Sequence, residues 1–355
     1  MIKVVRLNNN IKYIGDFLDF PSKIYDKHLI TQDKKEENLL IYGEHILSHE
    51  FKFIPFIAYE NDEVVARAAL TIYPVNTTAY VGFFESVDNT NVSNELFNAI
   101  DSYAKKHGIT KIIGPVNASF WIKYRLKVDH FDKPPYTGEP YNKPYYKRLF
   151  EKSGYKVVYK YLSNIYSGKL DLKEARKYFM RYKISKRHKY VITSPSPQNF
   201  TTIIGYIYDM LMELYNDFPI FRIISKDDFL KYFNNYQYIL DFSMVKIAYL
   251  NSEPVGFFIG LPDYGNLFMR KATFINKLKI FFKRIRSKRY VMLYMGVRKA
   301  HTGLGKAIIS TVVKNAFLRR SSYVGALIAQ GKITAEYGKN NIYEQYHYVI
   351  LEKGI

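Results

Sequence analysis

MGVRKAHTGLGKAI, residues 295 to 308, carries the strongest structural signal in the chain. The pattern is typical of the end of an apolar strand, a loop with two glycines and the first turn of a helix. Free backbone N–H groups and the positive end of the helix meet at such a loop, and glycine lets a phosphate approach the backbone. Ala300 and Ala307 stand where a P-loop needs glycine and serine or threonine. The three-glycine dinucleotide fingerprint is also absent, so the loop predicts a different pyrophosphate site.

The segments on both sides of this loop predict one folding unit. Apolar and β-branched residues predict strands at 244 to 250, 254 to 261, 290 to 297, 323 to 329 and 343 to 353. Helical spacing predicts helices at 202 to 216, 226 to 234 and 304 to 320, with a short one near 334 to 338. We therefore expect an α/β (α+β) lobe over 198 to 355, with a mixed, mainly antiparallel sheet flanked by helices.

The first half of the chain repeats this order. Three strands at 51 to 59, 64 to 73 and 79 to 86 are followed by a helix that stops at Gly108 and by a strand at 111 to 116. A helix at 143 to 155 and a strand at 157 to 167 complete it. At 355 residues the chain exceeds what one core usually organises. We expect a first lobe over 1 to 168 and a basic connecting segment over 169 to 197.

The glycine loop resembles the coenzyme-A loop of the GNAT acyltransferase superfamily, whose pattern is Arg or Gln, two residues, Gly, one residue, Gly or Ala. Gly303 and Gly305 match the two small positions, and Ala300 departs from the first. The resemblance covers residues 200 to 355 and implies two GNAT-like lobes, of which the second binds acyl-CoA or acetyl-CoA as the donor. The donor residues that it implies are Val297, Arg298, His301, Gly303, Leu304, Gly305 and Lys306.

The resemblance also implies roles for acidic and tyrosine side chains. GNAT enzymes polarise the thioester carbonyl with a backbone N–H on the fourth strand, often use a Glu there as base, and protonate the leaving sulfur with a Tyr near the last helix. The matching strand at 290 to 297 has no carboxylate. Tyr337 is the candidate acid and Glu336 a weaker candidate base. A structural role for Tyr337 is equally compatible with a chain of 34 tyrosines.

The first lobe resembles the same fold without a glycine loop. Its strand AYVGFFES leads into VDNTNVSNE, which has no glycine pair, so we expect a degenerate lobe. The segments GFFES (82 to 86), KIIGPVNAS (111 to 119) and YNKPYYKRLFEKSGY (141 to 155) are similar to a poorly characterised bacterial family of GNAT-like proteins. Glu85 lies on the strand that corresponds to the catalytic one. It is a third candidate catalytic residue, or a solvent-facing strand residue.

The long segment from Asn117 to Tyr141 joins a strand end to a helix. Loops at strand ends carry function disproportionately, and this one is longer than a connection needs. Asn117, Trp121 and Tyr124, with Tyr145 on the following helix, are therefore candidate substrate-binding residues. In the alternative reading, the aromatic residues only fill the space between the lobes.

The cysteine and histidine content, the apolar runs and the net charge exclude several kinds of protein and of site. The chain has no cysteine, which excludes disulfides and thiol nucleophiles, and its eight histidines lack metal-ligand spacing, so no metal is expected. No apolar run is long enough to span a membrane and no secretory signal is evident, which predicts a soluble, cytoplasmic protein. The net charge of +21 indicates an anionic partner.

Much of the excess charge lies in one segment. Between Tyr264 and Ala335 there are sixteen Lys and Arg and no Asp or Glu. Within it, residues 268 to 289 predict an amphipathic helix with an apolar stripe flanked by cations. Such a helix fits an acidic carrier protein, an anionic membrane or nucleic acid, although apolar stripes more often pack as core.

These patterns favour an N-acyltransferase that moves an acyl group from acyl-CoA, or from an acyl carrier protein, to a small-molecule or peptide amine. The first alternative is a tRNA-dependent aminoacyl transferase of Fem-like architecture, which would explain the charge but not the pyrophosphate loop. The second is a non-catalytic binding protein built from two GNAT-like lobes. Ala300 and the missing strand carboxylate favour this second alternative.

Overall fold

The computed structural model describes residues 1–8, 10–168 and 172–355, so the first three residues of the predicted connecting segment lie outside the described ones. The elements in chain order are β1 (Ile2–Arg6), α1 (Ile11–Asp19), α2 (Pro21–Ile24), α3 (Lys34–Tyr42), β2 (Lys52–Glu60), β3 (Glu63–Ile72), β4 (Thr78–Ser86), α4 (Thr90–Lys106), β5 (Lys111–Gly114), β6 (Val116–Asn117), β7 (Lys123–Tyr124), β8 (Leu126–Lys127), α5 (Tyr146–Lys152), β9 (Lys156–Tyr166), α6 (Leu172–Arg187), β10 (Val191–Thr193), α7 (Phe200–Leu214), α8 (Lys226–Phe233), β11 (Val245–Leu250), β12 (Glu253–Pro262), α9 (Phe274–Ile285), β13 (Arg289–Val297), α10 (Leu304–Leu318), β14 (Ser322–Ala329) and β15 (Ile342–Gly354). None of these described helices is long and apolar enough to cross a membrane.

The chain forms two compact units that do not follow a single cut in the sequence. The first unit contains Met1–Tyr161, Phe268–Arg270 and His347–Ile355, and the second contains Leu162–Leu267 and Lys271–Tyr346. The predicted lobe over 198 to 355 therefore loses its last nine residues to the first unit. The reason is packing, because the apolar side chains at the end of β15 lie in the core of the first unit.

The first unit is built on a mixed, mainly antiparallel sheet. Strands β1 to β4 pair in sequence as antiparallel neighbours, and β4 pairs with β5 in parallel. The end of β15 pairs antiparallel with β5, with Leu351 opposite Gly114. Helix α4 covers the sheet with Val92, Leu96, Phe97 and Ile100, which are buried at helical spacing.

The second unit repeats this plan. Strands β10 to β13 pair as antiparallel neighbours, and β13 pairs with β14 in parallel. Helix α10 follows β13 and buries Leu304, Ala307, Ile308 and Val312 in the core. The predicted fold class is confirmed in both units, since each has a mixed, mainly antiparallel sheet flanked by helices.

A bulge interrupts strand β4 in the first unit and strand β13 in the second. In the first unit, Gly82 and Glu85 lie opposite Ala69 and Arg67, so two residues of β4 face one of β3. In the second unit, Tyr294 and Met292 lie opposite adjacent residues of β12, which leaves Leu293 as the extra residue. Bulges bend a strand and end its pairing. The parallel pairing stops just before each bulge, so the neighbouring strands separate there.

Candidate functional site

The predicted glycine loop caps helix α10 without a side-chain cap. Gly303 has φ of 94° and ψ of −16°, a left-handed conformation that glycine adopts without strain. Within the described part of the chain, no side chain accepts a hydrogen bond from the first turn of α10. The backbone N–H groups of Leu304, Gly305 and Lys306 therefore remain available at the positive end of the helix.

The N-terminus of the corresponding helix in the first unit, α4, is not open to an anion, because a side chain caps it. The side chain of Asn89 caps α4 and accepts hydrogen bonds from the backbone N–H groups of Asn91, at 2.9 Å, and Val92, at 3.4 Å. A capped N-terminus offers fewer free donors than an uncapped one. The two helices therefore differ as their sequences predict. The helix that follows the glycine pair has no side-chain cap among the described residues, and the helix without a glycine pair has one.

The cations around the loop are not all available. Arg298 donates to Glu213 at 2.9 Å and also pairs with Glu253, so two carboxylates already surround its charge. Nδ1 of His301 forms a hydrogen bond of 2.8 Å with the hydroxyl of Tyr190. By contrast, Arg181 on α6 extends to the loop, with a guanidinium nitrogen 3.8 Å from where a Cβ on Gly303 would lie. No role for Arg181 could be predicted from the sequence, because only the packing of α6 against α10 brings it to the loop.

A pocket opens where β13 and β14 separate. It has an empty volume of about 580 Å³, including space open to solvent. Its walls are the last parallel pair of the two strands, the strand residues that follow it and neighbouring side chains. They are Met292, Leu293, Tyr294, Met295, Gly325, Ala326, Ile328, Ile309, Phe258, Tyr166, Tyr215, Thr334 and Tyr337. Most of these side chains are apolar, and the pocket reaches the first turn of α10 through Met295.

Tyr337 connects the pocket to the glycine loop. It follows a short 3-10 turn, Ile333–Glu336, rather than lying on a longer helix. A Cβ on Gly305 would lie 3.3 Å from the Tyr337 hydroxyl, so two residues singled out separately in the sequence meet in the fold. Burial raises the pKa of Tyr337, which keeps its hydroxyl protonated at neutral pH. Glu336 is exposed and does not line this pocket, so the structure does not bring the candidate base to it.

The first unit has a pocket of a different character. Glu85 is buried in it rather than facing solvent, which corrects the second of the two readings given above. Its carboxylate accepts hydrogen bonds from the hydroxyls of Tyr25, at 2.6 Å, and Tyr146, at 2.7 Å, and from the side-chain amide of Gln32. Lys123 lines the same pocket and donates to the backbone carbonyl of Thr31.

Burial raises the pKa of Glu85 to about 7, and the charge of Arg67 and the two tyrosine hydrogen bonds oppose this rise. Arg67 lies directly opposite Glu85 in the sheet and forms a buried bidentate pair with Glu37, with distances of 2.6 and 3.1 Å. Glu85 is therefore one of two buried carboxyl groups that share the field of a single arginine. A carboxyl group with this pKa changes its charge near neutrality.

Two of the four predicted substrate-binding residues line this pocket. They are Asn117 and Tyr124. The side chain of Asn117 accepts a hydrogen bond of 2.8 Å from the backbone N–H of Phe83, which has φ of 52° in the β4 bulge. Trp121 is buried against Phe120, and the Tyr145 hydroxyl donates to the backbone of Ser86, so neither side chain reaches the pocket.

The opening beside β4 is filled by the chain itself. A Cβ on Gly82 would lie 2.1 Å from the carbonyl oxygen of Val116, so β6 lies directly against β4 where the strands separate. The Asn117 side chain accepts a hydrogen bond from the backbone N–H of Phe83, which the bulge exposes. In the second unit the matching opening is the pocket beside Leu293. The two units therefore differ at both parts of the predicted donor site, the helix N-terminus and the space between the strands.

No protein-family model matches the chain. Among curated proteins, Protein YghO of Escherichia coli (strain K12) is 24% identical over 365 residues, which cover 96% of this chain and 91% of that protein.

Solved structures resemble the chain over its whole length. A tandem GNAT protein from the clavulanic acid biosynthesis pathway has a TM-score of 0.56 at 10% identity, over 100% of this chain and 98% of its own. A GCN5-related N-acetyltransferase from Kribbella flavida has a TM-score of 0.51 at 8% identity, over 99% of this chain and 71% of its own. At these identities the likeness concerns the fold. This chain has a GNAT-superfamily fold with two lobes.

Proposed function

We propose that the second unit is an N-acyltransferase that takes an acyl group from acyl-CoA or acetyl-CoA and gives it to an amine. The observation that supports this most directly is the meeting of three features at one place. These are the uncapped start of α10 at Gly303, the apolar opening between β13 and β14, and the hydroxyl of Tyr337 between them. Each has a use in acyl transfer from a large anionic thioester.

The residues at the start of α10 suit a pyrophosphate. The N–H groups of Gly305 and Lys306 point along the helix axis, and the helix dipole favours an anion there. The left-handed Gly303 leaves the backbone uncovered, and Arg181 adds a cation beside it. Because Glu213 and Glu253 already neutralise Arg298, we assign the positive charge to Arg181 and Lys306 instead.

The opening between the strands suits the uncharged arm and the acyl group. Its walls are mainly apolar, and the bulge at Leu293 interrupts strand pairing, so main-chain groups of β13 face the pocket. Such groups stabilise the charge that develops on a carbonyl oxygen during acyl transfer. Tyr337 then donates a proton to the departing thiolate, and its raised pKa means that the hydroxyl carries this proton at neutral pH.

A non-catalytic binding protein is the second candidate. Strand β13 has no Asp or Glu, and the one acidic residue proposed beside Tyr337 is exposed, so the pocket lacks a conventional base. The two candidates agree on donor binding and differ on turnover. Measuring both properties on the same protein separates them.

Gly303→Asp tests the donor site. A negative charge at the start of α10 repels a pyrophosphate, so the variant should lose the rise in melting temperature that coenzyme A gives the parent. Gly331→Asp is the matched control. Gly331 also has a left-handed backbone, with φ of 86°, and open space around its Cβ position, so both variants carry similar backbone strain.

Thiol release from acetyl-CoA in the presence of a panel of primary amines then tests turnover. The chain has no cysteine, so a thiol reagent gives no signal from the protein itself. Amine-dependent release that Gly303→Asp abolishes and Gly331→Asp retains supports the transferase. Coenzyme-A binding without release under any amine supports the binding protein, and an equal response of both variants contradicts the donor assignment.

A further inference from the structure

Helix α9 packs on its unit with the side opposite to its apolar stripe. The half-buried residues of the helix are Asn276, Ile280, Lys283 and Arg284, which lie on one side at helical spacing. Lys283 donates to the carbonyl of Asp263 at 2.7 Å, and Arg284 donates to the carbonyls of Leu240 and Gln237 at 3.1 Å. Polar bonds to the backbone thus hold the helix in place.

The other side of α9 is apolar and exposed. Its side chains range from 38% exposed at Leu278 to 74% exposed at Phe274. We call this set the outward apolar face, which consists of Phe274, Ile275, Leu278, Phe281, Phe282 and Ile285. The sequence pattern more often indicates a packed core, and the structure shows the reverse. A stripe of six large apolar residues turned to solvent marks an interaction surface.

Cations line both edges of the outward apolar face. At one edge, Lys277 lies three residues after Phe274 and four before Phe281. At the other edge, Lys279 lies three residues before Phe282 and Arg286 four after it. Among the residues that the structure describes, none of these three cations has an acidic partner. The sequence from 264 to 335 contains no acidic residue that would offset them.

We propose that the outward apolar face binds the surface of an anionic lipid bilayer, with α9 lying in the plane of the interface. A helix with cations at its edges and Phe, Leu and Ile between them buries its apolar side at the boundary of headgroups and acyl chains. The lysine and arginine side chains extend to the phosphates from both edges. A nucleic acid would satisfy the cations but would leave the six apolar side chains exposed, and an acidic protein would need a matching apolar groove as well, whereas an anionic bilayer offers both kinds of contact along the whole helix. This inference is independent of the proposed acyl transfer.

Co-sedimentation at low salt with vesicles of equal parts phosphatidylglycerol and phosphatidylcholine tests it. The parent protein should sediment with these vesicles and much less with pure phosphatidylcholine, and added salt should weaken the binding. Phe281→Ser with Phe282→Ser should lower the affinity by about tenfold or more, since both side chains leave the interface. Lys279→Glu with Arg286→Glu should reduce binding to the anionic vesicles by a similar factor and flatten its salt dependence.

Matched controls lie in the same unit. Phe317→Ser with Leu318→Ser removes two exposed apolar residues at the end of α10, and Lys332→Glu with Lys339→Glu reverses two exposed cations. Both should bind vesicles like the parent, and all four variants should keep the parent's circular dichroism spectrum. The proposal is overturned if the parent does not sediment, if helix and control variants behave alike, or if only tRNA or an acidic carrier protein binds.

Discussion

Glu85 is the residue whose surroundings change its chemistry most clearly. It is fully buried on β4, and desolvation raises its pKa from 4.5 to about 7. Below pH 4.5 the carboxyl is protonated in both the folded and the unfolded chain. Between pH 4.5 and 7 the folded protein keeps a proton that the unfolded chain has released, so folding stability falls as the pH rises. Over this window the loss is about 3 kcal/mol.

Glu85→Gln should remove this pH dependence, because the amide has the same shape and no charge to desolvate. In the parent, the free energy of unfolding should fall between pH 5 and pH 8 by about 3 kcal/mol more than in the variant. Urea unfolding followed by the fluorescence of Trp121, the one tryptophan of the chain, reports on the first unit. Glu151→Gln, at an exposed residue, is the control. Equal slopes for Glu85→Gln and the parent would contradict the raised pKa.

The residues of the proposed donor site were only partly predictable. The glycine loop was readable because it is local in sequence, and its chemistry follows from the backbone alone. Arg181 was not, since the sequence gives no sign that α6 and α10 pack side by side. The same limit applies to Arg298. Its cationic side chain fits the motif, but Glu213 and Glu253, 85 and 45 residues earlier in the chain, neutralise it.

At the level of elements, the sequence predicts strands better than it predicts what covers them. Every predicted strand lies within two residues of an observed one, because alternation and apolar runs are local signals. The bulges on β4 and β13 were not predicted, although they separate the strands and open the pocket. Helix α9 was predicted, and its apolar face was expected either to bind a partner or, more often for such a stripe, to pack as core; the structure leaves it exposed. Periodicity gives the faces of a helix and does not say which one packs.

Gly82 is the point at which β6 closes the opening in the first unit. Gly82→Ala would place a methyl group on the carbonyl oxygen of Val116, and main-chain atoms cannot rotate away as a flexible side chain can. The variant should lower the free energy of unfolding by about 2 kcal/mol or more. Gly15→Ala in α1, where no atom lies within 4 Å, should instead stabilise by roughly 0.5 to 1 kcal/mol. Trp121 fluorescence in urea measures both, and a neutral Gly82→Ala would mean that the opening is not filled.

At the scale of the whole molecule, the most important feature is that the end of β15 belongs to the first unit. Val349 and Leu351 are buried in the core of the first unit, although more than 180 residues of the second unit precede them. No local signal shows which sheet a terminal strand joins. The sequence therefore predicts two lobes and their order of elements, whereas the pairing of Leu351 with Gly114 depends on tertiary structure.

The position of the end of β15 in the first unit predicts how a fragment of the chain behaves. Residues 1–161 alone should lack a cooperative urea transition, because β5 lacks its neighbour β15 and the core lacks Val349 and Leu351. Residues 347–355 attached through a flexible glycine-serine linker should restore it. The same linker and segment with Val349→Ser and Leu351→Ser is the control. A cooperative transition in the unextended fragment would show that the last strand is dispensable to the first unit.

The position of Leu351 also sets an order of events on the ribosome. Domains usually fold as they emerge, but the first unit has to wait for about 190 further residues, which takes about 10 to 40 s at 5–20 residues per second. During this interval the free edge of β5 can pair with other chains. We expect the nascent protein to be a chaperone client until its final strand leaves the exit tunnel.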